Sequence, residues 1–247
     1  SIFWPGPLTL ILPRKKETNI SLLCSAGLPT LAVRVPSHPV AQQLIKALGH
    51  PIAAPSANKS GSLSPTMPQH VMQSLGENID IILVGGKSAV GLESTVVDMT
   101  GEVPVLLRPG AVTLEDLQMH VGEVKVETEA VGDNPKSPGQ LLKHYAPKTP
   151  LRLKAVDVKP GEALLAFGSI KFMGIQGGGA AKDLPPNARL NLSEPGDLYE
   201  AAANLFSMLH HLDQQGFKAI AVMNIPELGL GMAIDDRLRR AAGAQAA

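Results

Sequence analysis

Apolar and polar positions alternate in short runs along the first 130 residues, and the runs have two different periods. Brief apolar runs bounded by turn-forming residues predict β-strands, which we place at residues 8–12, 31–35, 79–84, 95–99 and 103–107. Apolar residues at helical spacing predict three helices, whose capping residues are Pro39 and Gly49, Thr66 and Gly76, and Thr113 with Asp116. This irregular order of strands and helices predicts an α/β domain around a twisted, mixed sheet.

The pattern breaks after this first region and resumes in the last hundred residues. Residues 132–150 begin with glycine, proline and other turn formers and have no period, which predicts a linker. The last region is predicted to contain strands at 163–167 and 219–223, a helix capped by Asp197 and a closing helix at 235–242. This order is typical of a small Rossmann-like α/β domain, but the Gly-x-Gly-x-x-Gly fingerprint of dinucleotide binding is absent. The predicted domains are therefore 1–131 and 151–247.

Composition excludes several classes of protein. Lys and Arg number 22 and Asp and Glu also 22, and aromatic residues make up 3%, so the charge and stacking residues of a general nucleic-acid binder are missing. The single cysteine, Cys24, cannot form an internal disulfide, and no disulfide partner is expected. No apolar run approaches the roughly 20 residues of a membrane helix. These features predict a cytoplasmic protein without membrane association.

Two polar loops in the first region are candidates for ligand binding. One follows the apolar residues 51–54 and contains Ser56, Asn58 and Ser64, whose side chains can hydrogen-bond phosphate or carboxylate oxygens. The other is Gly91-Leu-Glu-Ser-Thr95. An ordinary serine-rich turn and a polar strand entry are the structural alternatives for these two loops.

Two arginines strengthen the case for a binding pocket. Arg34 lies inside an apolar run and Arg108 ends another, and a guanidinium in a half-buried strand requires an anion from the protein or a ligand. Two such arginines with two hydroxyl-bearing loops describe a pocket for a doubly anionic ligand, and a nucleotide together with an amino acid would fit.

Other familiar sites are weakly supported or absent. Gly85-Gly-Lys-Ser88 lacks the first glycine of a phosphate-binding P-loop. The histidines have no metal-ligand spacing, and the adjacent His210 and His211 are predicted to be surface residues. The lysines and arginines of residues 136–159 form a basic segment, which is either a solvated connector or a cover over a phosphate-bearing ligand.

Several motifs, in their order along the chain, resemble those of one family. They are Trp4-Pro-Gly-Pro-Leu-Thr9, Val33-Arg-Val-Pro36, Ser56-Ala-Asn58 with Ser64-Pro-Thr66, Glu93-Ser-Thr-Val96, Leu107-Arg-Pro-Gly110, Ser137-Pro-Gly139, His144-Tyr-Ala-Pro147, Gly229-Leu-Gly231, Ala233-Ile-Asp235 and Asp236-Arg-Leu-Arg-Arg-Ala241. Their order is similar to that of L-threonylcarbamoyladenylate synthases, in which a YrdC-type domain is joined by a linker to a C-terminal domain.

The resemblance implies a reaction and a set of site residues. Members of the family join L-threonine, bicarbonate and ATP into threonylcarbamoyl-AMP and pyrophosphate, with Mg²⁺, for t6A37 modification of tRNA by downstream transfer machinery. The residues implied to hold threonine are Arg34, the Ala54 backbone and Ser94. Those implied to contact ATP are Thr30, Ser56, Asn58, Ser64, Arg108 and Tyr145. The linker would lie over the active site, and no residue would act as a nucleophile.

The start of the chain leaves alternatives open. A substantial stretch precedes the Trp-Pro-Gly-Pro motif in this family, whereas only Ser1, Ile2 and Phe3 precede Trp4 here. The resemblance therefore predicts a first domain that is N-terminally incomplete. The alternatives are a non-catalytic RNA- or ribosome-associated module, an inactive nucleotide-binding remnant, and a carbamoyltransferase of the same fold.

Overall fold

The computed structural model describes residues 2–127 and 145–243. The strands are β1 (Leu8–Pro13), β2 (Thr30–Arg34), β3 (Thr95–Asp98), β4 (Val105–Arg108), β5 (Lys125–Val126), β6 (Leu151–Arg152), β7 (Asp157–Val158), β8 (Glu162–Ala166), β9 (Gly174–Ile175), β10 (Arg189–Asn191) and β11 (Ala219–Val222). The helices are α1 (Pro39–Leu48), α2 (Pro68–Leu75), α3 (Leu114–Val121), α4 (Leu198–Asp213) and α5 (Leu230–Gly243). Short 3₁₀ turns lie at Leu22–Ser25, Gly76–Asn78, Ala181–Asp183 and Pro186–Ala188.

The described residues divide into two compact units. Unit 1 contains residues 2–55 and 93–127, and unit 2 contains residues 56–92 and 145–243. The segment 56–92, which includes the serine-rich loop and α2, thus groups with the C-terminal part of the chain. The domain boundaries at residues 131 and 151 stay a prediction, and most of the predicted linker lies outside the described residues.

Unit 1 is built on a mixed five-stranded sheet with the order β2-β1-β3-β4-β5. β1 runs antiparallel to β2 and parallel to β3, while β4 is antiparallel to β3 and parallel to β5. Ile11, Val96 and Leu107 from the three central strands form its buried core. The predicted mixed sheet is confirmed.

The predicted capping box of α3 is also present in unit 1. The Thr113 hydroxyl accepts a hydrogen bond from the Asp116 backbone N–H, and the Asp116 carboxylate accepts one from the Thr113 N–H. Each bond satisfies a donor that the first helical turn leaves open, so the helix begins where the sequence predicts.

Unit 2 is built on a four-stranded sheet with the order β10-β8-β11-β6, in which all the pairings are parallel. Every residue of β8 is buried, as expected for a parallel strand covered on both faces. The Asp197 carboxylate caps α4 by accepting hydrogen bonds from Tyr199 N and Glu200 N. Parallel strands alternating with helices α4 and α5 confirm the Rossmann-like architecture.

Two local predictions are wrong. Residues 79–84 form no strand, and Ile81 and Val84 are 79% and 77% exposed. The helix that starts after Thr66 is capped at Met67 without a side-chain hydrogen bond. A strand exists only where a neighbour supplies ladder hydrogen bonds, and apolar composition alone does not supply that neighbour.

Candidate functional site

In unit 1, three of the sequence motifs converge on Ser94. The Arg108 side chain donates to the Ser94 carbonyl oxygen from Nε (3.1 Å) and Nη2 (2.9 Å), and Nη2 also lies 3.1 Å from the Ser94 hydroxyl. That hydroxyl is 2.7 Å from the hydroxyl of Thr9 on β1. Arg108 and Ser94 are 8% and 4% exposed, so these contacts are shielded from water. Residues predicted for ATP and for threonine thus touch each other directly.

Glycine at position 110 allows this convergence. A Cβ atom at Gly110 would lie 2.4 Å from Thr95 N and 2.6 Å from Glu93 O, and no Cβ occupies such a position without a shift of the backbone. Gly110 therefore lets the turn after β4 pack directly on the backbone of the Glu93–Thr95 loop. This packing holds the loop at a fixed distance from β4.

The other unit 1 residues implied to bind ligand lie on or near the sheet edge. Thr30 begins the edge strand β2 and is half-buried, and Arg34 ends this strand and is exposed. Ala54 lies in an exposed segment without secondary structure. The inference that Arg34 requires an anion because it is half-buried is wrong, since water reaches its guanidinium. Arg108 is buried as expected, but the Ser94 backbone and hydroxyl accept its hydrogen bonds.

Sequence reasoning gave no function to Thr9, although it belongs to the first motif. Thr9 is the register partner of Arg34 across β1 and β2, and β1 also pairs with β3. Because its hydroxyl contacts Ser94, Thr9 links the two residues predicted to hold threonine. A signal was available in the sequence, because a threonine ends the Trp-Pro-Gly-Pro motif where a strand was predicted.

In unit 2, the serine-rich loop is closed by Asn58. Its Nδ2 donates to Lys59 O (3.0 Å) and Ser62 O (3.2 Å), and the residue is 9% exposed. Its Oδ1 is buried and has no hydrogen-bond partner among the described residues, so this oxygen is available to accept a hydrogen bond from an N–H or O–H group of a ligand. Ser64 is buried and Ser56 is exposed. The structure therefore brings Asn58 and the loop together but leaves Ser56 at the surface.

Tyr145 and Ala146 join this loop to the C-terminal helices. Ala146 N donates to Gly61 O (2.9 Å), and Ala146 bridges Ser62 in parallel orientation. The Tyr145 ring is 1% exposed and packs on Phe206 of α4, with ring centroids 5.6 Å apart. The contact of Tyr145 with ATP stays a prediction, and His144 and Ser137-Pro-Gly139 lie outside the described residues.

The prediction that His210 is a surface residue is wrong, whereas His211 beside it is exposed. The His210 ring stacks on His70 of α2 with a centroid separation of 3.9 Å, and its Nε2 is 3.1 Å from Ser64 O. His70 Nδ1 accepts from Thr66 N (3.3 Å). Burial, together with the neighbouring His210, lowers the pKa of His70 to about 4, and burial also lowers the pKa of His210.

Two residues in the described part of the basic segment, Arg152 and Lys154, are paired with acids. Arg152 donates to both Glu162 carboxylate oxygens, at 2.9 and 2.5 Å, and also pairs with Asp157 at 3.2 Å. Hydrogen bonding from Arg152 lowers the pKa of Glu162. Lys154 pairs with Glu227 at 3.1 Å. Arg152 and Lys154 are therefore engaged within unit 2, while Lys136 and Lys143 lie outside the described residues.

Neither a metal cluster nor a membrane helix occurs in the described ranges. Within residues 2–127 and 145–243, no three His, Cys, Asp or Glu side chains are grouped so that they could hold a metal ion. In the same ranges no helix has both the length and the apolar character needed to cross a membrane. Cys24 is exposed and not in a disulfide.

Two family models match consecutive parts of the chain. A model of Sua5, YciO and YrdC proteins described as "Telomere recombination" matches residues 1–110, and the model "Threonylcarbamoyl-AMP synthase, C-terminal domain" matches residues 112–243. The threonylcarbamoyl-AMP synthase of Pyrococcus abyssi is 39% identical over 98% of this chain and 72% of its own length. That of Bacillus subtilis is 37% identical over 98% of this chain and 71% of its own length.

A solved structure matches both units. The crystal structure of Pyrococcus abyssi Sua5 complexed with L-threonine has a TM-score of 0.83 at 35% identity. The match covers 99% of this chain and 72% of the crystallised one. The similarity therefore extends through the mixed sheet and the parallel sheet alike.

Proposed function

The chain belongs to the threonylcarbamoyl-AMP synthase family, and on this basis we propose that it forms threonylcarbamoyl-AMP and pyrophosphate from L-threonine, bicarbonate and ATP. The observation that carries the proposal is the match to synthases over 98% of the chain, at 39% and 37% identity. We assign the reaction to residues 1–131, with 132–150 as a linker over the active site and 151–247 as the C-terminal domain.

The reaction consists of two transfers and requires no nucleophile from the protein. The threonine amine attacks bicarbonate-derived CO₂ and loses a proton, which forms a carbamate. A carbamate oxygen then attacks the α-phosphorus of ATP, and the bond to pyrophosphate breaks. Catalysis of this kind depends on positioning two anionic substrates and on neutralising the charge that develops between them.

Arg34, the Ala54 backbone and Ser94 form the proposed threonine site. The exposed guanidinium of Arg34 is available to pair with the threonine carboxylate. The Ser94 hydroxyl, held by Thr9 and Arg108, can hydrogen-bond the substrate without first being ordered. The proposal for Ser94 is supported by its burial and its fixed position.

Thr30, Ser56, Asn58, Ser64, Arg108 and Tyr145 form the proposed ATP site. The buried Oδ1 of Asn58 supports it, because this atom lacks a partner in the described part of the chain. Arg108 supplies a buried positive charge, which suits the α-phosphate where the carbamate attacks. Mg²⁺ enters as part of the nucleotide substrate and leaves with pyrophosphate. The product is passed in the cytoplasm to the machinery that modifies tRNA.

The test is a product assay on this chain. The chain is incubated with ATP, Mg²⁺, bicarbonate and L-threonine, and mass spectrometry monitors threonylcarbamoyl-AMP. Product that requires both threonine and bicarbonate is the expected result. Absence of product from a chain that remains folded by circular dichroism contradicts the proposal.

A binding measurement separates the alternatives. Saturable ATP binding without turnover would identify a nucleotide-binding module of the same fold. Binding of tRNA that falls steeply with added salt would identify an RNA-associated module.

A further inference from the structure

We propose that Arg237 of α5 is a positioning residue, which fixes the ATP-binding loop of residues 56–64 by holding the Tyr145 ring. This inference rests on the proposed function, and it assigns a task to the Asp236-Arg-Leu-Arg-Arg-Ala241 motif, which the proposed reaction leaves unused.

Arg237 is unusual among the described residues of unit 2. It is 1% exposed, yet it carries a permanent charge, and arginine is rarely buried unless its charge is matched. Its Nη1 donates to Asp236 Oδ2 at 2.8 Å, and Arg240 donates to the other oxygen of the same carboxylate at 2.9 Å. Asp236 therefore holds both arginines and fixes the direction of the Arg237 guanidinium.

The fixed guanidinium lies over an aromatic ring. The Arg237 Cζ atom is 5.3 Å from the centroid of the Tyr145 ring, within the range of a cation–π contact. Phe206 packs against the same ring. Tyr145 thus has a charged neighbour from α5 and an apolar neighbour from α4.

The backbone at Tyr145 indicates that these contacts impose a conformation. Its φ is +63°, in the left-handed region that a residue with a bulky side chain seldom adopts. Such a conformation persists only where the surrounding structure requires it, and residues of this kind concentrate at functional sites. The buried ring therefore directs the chain that follows it.

The residue that follows Tyr145 contacts the loop of residues 56–64 directly. Ala146 donates its backbone hydrogen bond to Gly61 O and bridges Ser62. Ser62 O in turn accepts from Asn58 Nδ2, so the anchor is continuous from Arg237 to a residue of the proposed ATP site. A shift of the Tyr145 ring would move Ala146 and release this side of the loop.

The test uses Arg237→Met and a matched control. Methionine has a similar unbranched side chain and no charge, and Asp236 retains Arg240 as a partner. Arg239→Met makes the same change on the same helix and also removes a partner from a buried acid, because Arg239 Nε lies 2.6 Å from Asp235 Oδ2. Arg237→Lys, which keeps the charge, is the conservative variant if the methionine variant does not fold.

We expect Arg237→Met to raise the Kd for ATP about tenfold, as for a lost cation–π anchor, with no change in the Kd for threonine. Arg239→Met should leave both constants at their wild-type values, and Arg237→Lys should fall between Arg237→Met and wild type. The decisive comparison is between Tyr145→Leu and the double variant that carries Tyr145→Leu and Arg237→Met. The two should bind ATP equally well, because Arg237 and Tyr145 act through one contact.

The outcomes separate this inference from the proposed function. Additive losses in the double variant, or equal losses for ATP and threonine, overturn the positioning role. If the wild-type chain binds ATP but forms no product, the proposed function is overturned. The ATP dissociation constants of the single and double variants at Arg237 and Tyr145 still decide the role of Arg237 in that case. Wild-type chain that binds no ATP overturns both.

Discussion

The two sheets of the molecule satisfy their arginines differently. In the mixed sheet of unit 1, Arg108 donates to a backbone carbonyl and a hydroxyl of the Ser94 loop. In the parallel sheet of unit 2, Arg152 is paired with the carboxylates of Glu162 and Asp157. The fold neutralises the charge of Arg152 with carboxylates, whereas Arg108 contacts the Ser94 loop, where we propose that threonine binds. This contrast predicts that Arg152 acts mainly on stability and Arg108 mainly on activity.

The largest expected effect is on the stability of unit 2. Arg152→Met should lower the free energy of unfolding by about 3 kcal/mol, because it leaves the buried Glu162 carboxylate without its ion pair. Urea unfolding followed by circular dichroism measures the change. Lys154→Met removes an ion pair between exposed side chains and should cost less than about 1 kcal/mol. If Arg152→Met and Lys154→Met lose the same free energy of unfolding, the burial of Glu162 does not make its ion pair more stabilising than the exposed one.

The next effect concerns the activity of unit 1. Arg108→Met should lower kcat/KM about 100-fold, since hydrogen bonds from a charged group contribute about 1.5–3 kcal/mol. Steady-state formation of pyrophosphate measures it. Arg14→Met is the control in the same unit, because its guanidinium donates to Ile20 O and Ser21 O outside the Ser94 cluster. Full activity in Arg108→Met would mean that unit 1 uses its arginine structurally, as unit 2 does.

A smaller effect is expected on the pH dependence of stability. The pKa of His70 is lowered from 6.5 to about 4 in the folded chain, so the unfolded chain binds more protons between these values. Above pH 6.5 His70 is neutral in both states and does not reduce the free energy of unfolding. As the pH drops from 6.5 toward 4, protonation of His70 in the unfolded chain lowers the free energy of unfolding. Burial also lowers the pKa of the stacked His210, and the hydrogen bond with Ser64 and the charge of Asp213 offset that shift only in part, so His210 acts in the same direction. The urea midpoint should therefore decrease from pH 7 to pH 4.

Variants assign that pH dependence to the stacked pair. His70→Gln should flatten the decrease of the urea midpoint, because glutamine does not titrate. His211→Gln alters the exposed histidine next to His210 and should leave the decrease unchanged. If the urea midpoint of His70→Gln still decreases as much between pH 7 and pH 4, groups other than His70 cause the pH dependence.

The smallest effect is expected at Thr9. Thr9→Val removes the 2.7 Å contact with the Ser94 hydroxyl while keeping the shape of the side chain. We expect the KM for threonine to rise about fivefold, which corresponds to about 1 kcal/mol for one neutral hydrogen bond. Thr100→Val removes an exposed contact with Asp98 and should not change this KM. An unchanged KM in Thr9→Val would mean that Thr9 does not help to position the Ser94 hydroxyl and that Arg108 alone does so.

Sequence reasoning succeeded where the determinants are local. The Thr113–Asp116 capping box and the Asp197 cap involve atoms three or fewer residues apart, so the residue types alone specify the hydrogen bonds. The residues that α4 buries, among them Ala201, Leu205 and Leu209, follow the helical spacing that the sequence itself displays.

It failed where distant residues decide the outcome. Residues 79–84 have the composition of a strand, but no partner in the described part of the chain forms a ladder with them. Adjacent positions 210 and 211 must point in different directions, yet only the packing of His70 determines which histidine is covered. The apolar neighbours of Arg34 in the sequence predict that it is half-buried, but it is exposed, because β2 lies at the edge of the sheet.

The contact beneath Gly110 has a consequence for amino-acid selection. The Ser94 loop rests on the turn after β4 with no side chain between them, so it cannot retreat to admit a larger substrate. On the proposed function, this rigid wall rejects bulkier amino acids by steric collision. Serine lacks only the methyl group of threonine and meets no such collision, so the wall can discriminate against it by only about 1–3 kcal/mol of lost contact. Fidelity in this enzyme would therefore be strict toward larger amino acids and limited toward smaller ones.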